Sequence, residues 1–295
     1  MRWIAYAAGT LVVLLGGAAG YVYAASNSKA DREYDVPLQH MAISSDSAIL
    51  ARGKHLATAI TKCVECHSDD LGGKIMIDDP ALGVAVAPNI TTGGVIANYT
   101  DDELVRVIRH GVKRDGRSVI IMPADDYQHL ADEDVAAIVA YLRSVPAVDR
   151  TSGQTMLRPV GRTLVAANIL PLYVAERLDH TRIAPSMMVA DTSLAYGEYL
   201  ANVGGCTGCH GPGLGGGPIP GLPPEAPPAS NLTPTGLSKY TDEQLETILR
   251  TGGRPDGSSV KQEMPWRYTA LMTPLEMRAT IKYLRTVPRK EFGTR

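Results

Sequence analysis

All four cysteines of this 295-residue chain lie in two strings of the form C-x-x-C-H, CVECH at 63–67 and CTGCH at 206–210. In this pattern two thiols form thioether bonds to a porphyrin, and the adjacent histidine, His67 or His210, binds the iron. A redox-active dithiol, a zinc site or a disulfide would explain the cysteine pairs but not the histidine that follows each pair. The strings therefore predict two covalently bound haem c groups. The predicted thioether residues are Cys63, Cys66, Cys206 and Cys209.

The two strings belong to a longer internal repeat. At offsets of 141 to 143 residues, four further segments of the first half match the second half. They are APNITTGG (87–94) with ASNLTPTG (229–236), YTDDEL (99–104) with YTDEQL (240–245), RHGVKRDGRS (109–118) with RTGGRPDGSS (250–259), and YLRSVP (141–146) with YLRTVP (283–288). We interpret the chain as a tandem duplication, with domains at 45–150 and 186–295 and a proline-marked linker at 151–185.

The repeat also selects the second axial ligand of each iron, because a ligand of the common design must occur in both halves. Met122 in IMPADDY matches Met264 in EMPWRY, and a proline follows each methionine. His110, by contrast, aligns with a threonine. A single methionine is ordinarily a core residue, but the repeated Met-Pro pair predicts that Met122 and Met264 bind iron opposite His67 and His210.

The periodicity of the apolar residues predicts small helical domains. Capping boxes, Thr100 with Glu103 and Thr241 with Gln244, mark two helix starts. The predicted helices are 46–63, 101–111, 132–144, 192–205, 242–251 and 274–287. No alternating strand pattern of comparable length is present, so the sequence predicts an all-α fold. Gly/Pro-rich loops would then wrap the porphyrins.

The N-terminal segment indicates a location at a membrane. Residues 3–25 are apolar apart from Thr10, and 23 residues reach about 34 Å as a helix, enough to cross a hydrocarbon core of about 30 Å. Arg2 precedes the stretch, so the large body is expected to be exported. The alternative is a signal peptide cleaved near Ala24. Residues 1–28 are thus predicted to be an anchor or a signal peptide, with the haem domains on the periplasmic face of the inner membrane.

Composition limits the partners. The net charge is −2 and the pI is near 6.4, so the chain lacks the basic footprint of a nucleic-acid-binding protein. Aromatic residues are few for two cores filled by side chains alone, at 13 Tyr, 2 Trp and 1 Phe. Residues 35–150 carry 11 basic and 17 acidic residues, net −6, whereas residues 186–295 carry 11 and 10, net +1. This difference suggests the hypothesis that the first domain meets a basic redox partner.

Taken together, the two C-x-x-C-H strings, the Met-Pro loops and the terminal Y-L-R helices resemble the class I cytochrome c domain. The longer pattern, P-N-[IL]-T, YTD, R-x-G, DG, MP and YLR, is similar to membrane-associated multihaem cytochromes, including cytochrome subunits of quinohaemoprotein and flavin-linked dehydrogenases. Those subunits usually carry three haems and a C-terminal anchor, whereas this chain has two strings and an N-terminal apolar segment. The two-haem layout is also that of a terminal-oxidase subunit.

This resemblance implies transfer of single electrons, and the predicted ligands agree. Iron held by His and Met has no open position for a substrate, so we expect an electron carrier rather than an enzyme, with no small-molecule substrate. Its partners would be the membrane and redox proteins or a membrane oxidoreductase complex. A dihaem peroxidase with one displaceable Met and a structural or tethering subunit are the alternatives.

Further matched residues are candidates for contacts with the haem edge. Arg109 and Arg250 could pair with haem propionates through bidentate hydrogen bonds, and the alternative is a solvated helix face. The pairs Asn89/Asn231 and Tyr99/Tyr240 could order the haem edge, with turn and core roles as their alternatives.

Overall fold

The computed structural model describes residues 2–223 and 225–295. The helices are α1 (Arg2–Ala30), α2 (Ser47–His55), α3 (Cys63–His67), α4 (Asp101–His110), α5 (Ala124–Tyr127), α6 (Asp132–Ser144), α7 (Pro159–Ala166), α8 (Leu194–Val203), α9 (Cys206–His210), α10 (Pro234–Leu237), α11 (Asp242–Thr251), α12 (Trp266–Thr269) and α13 (Pro274–Leu284). The strands are β1 (Lys74–Asp79), β2 (Gly83–Ala87) and β3 (Met156–Leu157). We call α2 to α6 the first unit and α8 to α13 the second unit.

The six predicted helices are present, with ends within three residues of the predicted ones. The first of them consists of α2 and a π-helical turn, Leu56–Ile60. Both predicted capping boxes form: Thr100 accepts a hydrogen bond from the backbone N–H of Glu103, and Thr241 does the same for Gln244. These caps satisfy backbone donors at the start of α4 and α11 that would otherwise lack partners.

In each unit the first helix crosses the last one at a glycine. A Cβ atom added to Gly53 of α2 would lie 1.9 Å from the carbonyl oxygen of Ala137 in α6, and one added to Gly197 of α8 would lie 2.1 Å from that of Ala279 in α13. Such distances are far inside van der Waals contact, so only glycine allows the two backbones to approach this closely. The two units therefore have the same helix crossing at their centre.

The all-α prediction is not confirmed, because two strands of the first unit and one strand of the linker form a small sheet. Strands β1, β2 and β3 pair in that order and antiparallel, with a bulge between Ile75 and Ile77. The alternating residues that form it are only a few positions long and are interrupted by the turn at 79–83, so the periodicity was too short to predict a strand. The second unit has a Gly/Pro-rich loop at the corresponding place, 211–228.

The apolar helix α1 packs on the body at its C-terminal end. There α7 lies beside it, and Arg162 of α7 donates a hydrogen bond of 2.9 Å to the hydroxyl of the fully buried Ser26. Lys29 forms an ion pair of 2.9 Å with Glu176. The N-terminal part of α1 is exposed, and the helix is long and apolar enough to cross a membrane. By length and composition a signal sequence would meet the same criterion.

One buried core runs through both units, and two carboxylates join them. Asp134 and Glu276 hold the same position in α6 and α13. Asp134 accepts two hydrogen bonds of 2.9 Å from Arg52 of its own unit and one of 2.6 Å from the Tyr199 hydroxyl of the other. Glu276 accepts 2.8 Å and 3.2 Å bonds from His55 and Arg52 of the first unit. Each acid is therefore held across the interface, as expected of a pseudo-symmetric pair of domains.

Candidate haem sites

The two C-x-x-C-H strings form single-turn helices with matching ends. Lys62 and Gly205, which precede the first cysteine, both have left-handed backbone conformations, with φ of 54° and 73°. The residue after each histidine, Ser68 or Gly211, is also left-handed, with φ of 70° and 83°. Because one helical turn places residues i and i+3 on one side, the two thiols of each string share a face, as a porphyrin with two vinyl groups requires.

All four cysteines are free thiols, so no disulfide uses them. Burial raises the pKa of the Cys66 thiol and that of the Cys206 thiol to about 11 each. Within residues 2–223 and 225–295, no three His, Cys, Asp or Glu side chains are grouped so as to hold a metal ion. Buried protonated thiols are available for thioether bonds.

A backbone carbonyl orients the histidine of each string. This carbonyl belongs to the first residue of the matched P-N-I-T or S-N-L-T segment. The Nδ1 atom of His67 lies 2.7 Å from the carbonyl oxygen of Pro88, and that of His210 lies 2.6 Å from the oxygen of Ser230. A carbonyl can only accept, so Nδ1 carries the proton and Nε2 presents its lone pair. This is the tautomer that an axial imidazole needs, and a carbonyl partner of this kind also fixes the plane of the ring.

The next residue of each segment holds that carbonyl in place. The side-chain oxygen of Asn89 accepts hydrogen bonds from the backbone N–H and hydroxyl of Thr91, while its amide donates to the oxygen of Val148 at 2.7 Å. Asn231 makes the same bonds to Thr233 and to the oxygen of Lys290, also at 2.7 Å. Both asparagines are buried. The sequence suggested that they order the haem edge, and the structure shows them bracing the loop that orients the histidine.

The predicted methionine ligands lie in matching turns. The carbonyl of Met122 accepts a 2.8 Å hydrogen bond from the N–H of Ala124, and that of Met264 accepts one of 2.8 Å from Trp266. Pro123 and Pro265, the residues between, have nearly equal backbone angles, φ −80° with ψ 59° and 49°. Both methionines are half-buried. The same loop thus presents a thioether in both units.

Arg109 and Arg250 have protein partners for their guanidinium groups. Arg109 is 3% exposed, forms a 2.7 Å ion pair with Asp132 and donates to the carbonyl oxygen of Leu130 at 2.6 Å. Arg250 donates to the oxygen of Met272 at 3.2 Å, the matched position in the second unit. These contacts tie α4 and α11 to the loops before α6 and α13. The alternative of a solvated helix face is wrong for Arg109, whose side chain is buried and joins α4 to the segment before α6. Contact with a haem propionate stays a prediction for both arginines.

A second pair of arginines was missed in the sequence although it lies inside the repeated Y-L-R string. Arg143 donates to the carbonyl oxygen of Tyr99 and forms a 2.8 Å ion pair with Asp101. Arg285 bonds Tyr240 and Asp242 in the same way, with an ion pair of 2.9 Å. The matched tyrosines are therefore part of the connection between the last helix and the start of α4 or α11.

The units are arranged so that each methionine loop faces the other unit. Helix α5, which follows Met122, packs against α8, and α12, which follows Met264, packs against the turn Leu56–Ile60 ahead of Cys63. Both methionine loops therefore lie at the interface between the two units.

Comparison with known families agrees with this geometry. Residues 48–142 match the family model described as cytochrome c oxidase, cbb3-type, subunit III, and residues 194–288 match the one described as cytochrome c. The chain contains two cytochrome c domains. They coincide with the first and second units.

Curated relatives are similar over most of this cytochrome. The cytochrome c subunit of a quinone alcohol dehydrogenase from Gluconobacter oxydans is 27% identical over 83% of the chain, and the fructose dehydrogenase cytochrome subunit of Gluconobacter japonicus is 27% identical over 86%. The chain spans about half the length of these two relatives, 56% of each. A dihaem c-type cytochrome from Cereibacter sphaeroides is 27% identical over 95% of this chain and 97% of its own length.

The residues present fit two haem c groups. Each unit offers two free thiols on one helical turn, an imidazole whose Nε2 presents a lone pair because Nδ1 carries the proton, and a thioether in a Met-Pro turn. This donor set matches one covalently held iron porphyrin with nitrogen and sulfur axial ligands in each unit.

Proposed function

We propose that this cytochrome relays single electrons between a donor and an acceptor through two covalently bound haem c groups. The observation that carries the proposal is the repeated carbonyl clamp, in which Pro88 and Ser230 fix the ring orientation of His67 and His210 by the same bond. A haem iron bound by His and Met supplies a one-electron couple with both axial positions filled. The chain's own residues hold those ligands still, which keeps the structural change on oxidation small.

In the proposed sites, Cys63 and Cys66 bind the first haem and Cys206 and Cys209 bind the second. His67 with Met122, and His210 with Met264, are the axial pairs. The proposed domain limits remain 45–150 and 186–295, joined by 151–185, with 1–28 as the membrane segment. The apolar core around each site excludes water and thereby lowers the cost of moving a charge into it.

A peroxidase would need one of the two methionine loops to differ, so that its ligand could leave. The two Met-Pro turns instead share their proline geometry and their hydrogen bond. This similarity does not favour the peroxidase alternative.

We further propose that α1 remains as a membrane anchor that holds both haems at the periplasmic face. The guanidinium group of Arg162 lies 4.2 Å from the centre of the Tyr23 ring, and Ser26 is buried beneath α7. Cleavage near Ala24 would remove the ring from this contact. The packing of α7 on the end of α1 would also hold the body close to the membrane surface.

The relatives' names suggest the kind of partner. Several are cytochrome subunits of dehydrogenases, and a gluconate 2-dehydrogenase cytochrome c subunit from Pantoea cypripedii is 28% identical over 57% of the chain. We propose that a membrane dehydrogenase donates electrons to this cytochrome, and that a respiratory acceptor receives them.

The test is affinity purification of the tagged full-length protein from detergent-solubilised membranes, followed by haem staining and substrate-dependent reduction. We expect a dehydrogenase to co-purify and its substrate to reduce both haems. Two reducible haems with no co-purifying oxidoreductase would refute the partner, and peroxide-dependent oxidation of a reduced donor by the purified chain would refute the relay.

A further inference from the structure

The two units differ at two matched positions on their interface. Asp126 and Tyr268 both lie four residues after the methionine of their unit, and Lys62 and Gly205 both lie directly before the first cysteine. The first unit thus has a carboxylate and an ammonium group at these positions. The second unit has a phenol and a glycine without a side chain. The two units therefore differ in charge beside the haem-attachment helices, where a charge has a strong effect on the electrostatic potential at the candidate haem sites.

Asp126 extends from α5 of the first unit to the attachment helix of the second. Its side chain is buried, with 8% of the residue exposed, and its Oδ2 atom lies 2.9 Å from the position that a Cβ atom on Gly205 would occupy. The Nζ atom of Lys62 lies 4.0 Å from that same position and donates to the carbonyl oxygens of Gly204, at 2.5 Å, and Ile60, at 3.1 Å. Both charged groups therefore meet at the start of α9.

The groups that face Asp126 come from four segments. Lys62 precedes the first attachment helix, Thr207 lies on the second, Arg177 comes from the linker and Asp125 is its neighbour on α5. Asp125 is itself paired with Arg177 at 2.6 Å, so it is not a free second carboxylate. Cys206 and Cys209 also lie near, and as thioethers they would carry no proton.

Burial raises the pKa of Asp126 to about 7, with Lys62 opposing the rise and Asp125 adding to it. Its charge in turn raises the pKa of Cys206 and Cys209. The charged residues that shift the pKa of Cys66 in the first unit are instead Glu65, Lys74 and Lys62. The field of Asp126 thus acts on the second site.

We propose that Asp126 is a proton-exchanging residue whose protonation is coupled to the oxidation state of the haem in the second unit. This inference rests on the proposed function, because it requires a redox-active haem there. When an electron from the donor enters the second site, the site loses one positive charge and the carboxylate takes one proton from solvent. When the electron leaves for the acceptor, the proton returns to solvent, so charge and mass balance in both directions.

The sign follows from electrostatics. A carboxylate stabilises the oxidised, more positive site, so deprotonated Asp126 lowers the midpoint potential of the second haem. That potential should fall as pH rises through the region around 7. The first haem has Tyr268 at the matched place, and a phenol stays neutral in this range. The electron-sharing equilibrium between the two haems should therefore shift toward the first haem by roughly three- to tenfold from pH 6 to pH 8.

The experiment is a spectroelectrochemical titration of the full-length cytochrome at several pH values. The variant Asp126→Asn keeps the shape of the side chain and removes the proton, and Asp125→Asn is the matched control. A form carrying Cys206→Ser and Cys209→Ser assigns the first haem. We expect the pH-dependent shift of the second haem to persist in the control and to vanish in Asp126→Asn.

Redox-difference infrared spectroscopy of the unsubstituted protein covers the case in which Asp126→Asn fails to fold. We expect a protonated-carboxyl band to appear on reduction near pH 7. An unchanged pH dependence in Asp126→Asn, or the absence of this band, would overturn the inference while leaving two redox-active haems intact. A chain with no redox-active second haem would instead refute the proposed function.

Discussion

The two units of this cytochrome agree in the contacts that hold the candidate iron ligands and differ in those that surround them. The histidine–carbonyl bond, the asparagine brace, the Met-Pro turn and the glycine crossing occur twice with nearly equal distances. Lys62 and Asp126 of the first unit have Gly205 and Tyr268 at the matched positions of the second, and among the described residues the three-stranded sheet is built from the first unit and the linker. The contacts around the candidate iron ligands are therefore the same in both units, whereas the electrostatics and the outer surface differ.

This difference separates two kinds of residue. Those that recur fit the function that we propose for both units, which is to orient a histidine and a methionine toward one porphyrin. Those that do not recur distinguish one candidate site from the other.

The largest effect is expected when one axial methionine is removed. Met122→Ala and Met264→Ala should each convert one of two haems to a form with an open position, so that about half of the haem binds carbon monoxide on reduction. Absorption spectra with and without carbon monoxide measure this fraction. Equal fractions from the two variants would support matched sites, whereas carbon monoxide binding to the unsubstituted protein would contradict them.

The glycine crossings should be the most sensitive packing positions. Gly53→Ala and Gly197→Ala each force a methyl group onto a backbone carbonyl, and we expect each to lower the free energy of unfolding by roughly 3 kcal/mol. Chemical denaturation monitored by circular dichroism measures this free energy of unfolding. Gly153→Ala is the control, since a Cβ atom there meets nothing within 4 Å, although its positive φ of 86° adds some strain. A loss at Gly53 no larger than in the control would refute the shared crossing.

The carboxylate of Glu276 at the interface should make stability depend on pH. Burial alone would raise the pKa of Glu276, but the hydrogen bond from His55, the N–H of Thr273 and the charge of Arg52 lower it to about 2. A depressed folded-state pKa means that the stabilisation is complete above the ordinary value of about 4.5 and is lost as pH falls toward 2. We expect a loss of about 3 kcal/mol over this window.

Glu276→Gln should remove that acid-dependent loss. Denaturant titrations at several acidic pH values compare this variant with the unsubstituted protein. If Glu276→Gln retained the full pH dependence, the stabilising role of this carboxylate would be refuted.

Removal of either asparagine side chain should lower the free energy of unfolding by less than the changes above. Asn89→Ala and Asn231→Ala each remove a buried amide, which makes four hydrogen bonds at Asn89 and three at Asn231. We expect each change to lower the unfolding free energy of the affected unit by about 2 kcal/mol. Because the brace holds the carbonyl that orients the histidine, the midpoint potential of the same haem should also shift. A stability loss with no change in either potential would show that the brace is not coupled to the ligand.

The smallest effect concerns surface charge. The net charge of −6 on residues 35–150, against +1 on residues 186–295, favours encounter of a basic partner with the first unit. We expect reduction of the first unit's haem by a cationic reagent to slow by roughly threefold between low and physiological ionic strength, because salt screens charges beyond about 10 Å. Stopped-flow kinetics with a neutral reagent provide the control, and a rate independent of salt would exclude steering.

Much of the fold and site could be predicted because the repeat gives two versions of one design. The six helices follow from apolar spacing and capping residues, and the placement of Met122 and Met264 in equal turns follows from their shared proline. The sheet was missed because strands of two to six residues leave too short a periodicity. A short strand is stabilised by its pairing partner, which the local sequence does not show.

Hydrogen bonds to backbone atoms could also not be predicted from the sequence. The bonds from His67 to Pro88 and from Arg143 to Tyr99 use carbonyl oxygens, which every residue has, so no residue type marks them. Burial of Arg109 could not be predicted from an amphipathic pattern, which places arginine on the solvent side. The cross-unit position of Asp126 depends on the packing of the two units, which no motif encodes.

The proposed relay requires that each unit hold one covalently bound haem c. The pyridine haemochrome content of the purified full-length protein, measured against its chain concentration, gives the number of haems, and intact-protein mass tests covalent attachment. We expect two c-type haems per chain, both retained after denaturation. One haem per chain, or haem released from the polypeptide on denaturation, would contradict this expectation.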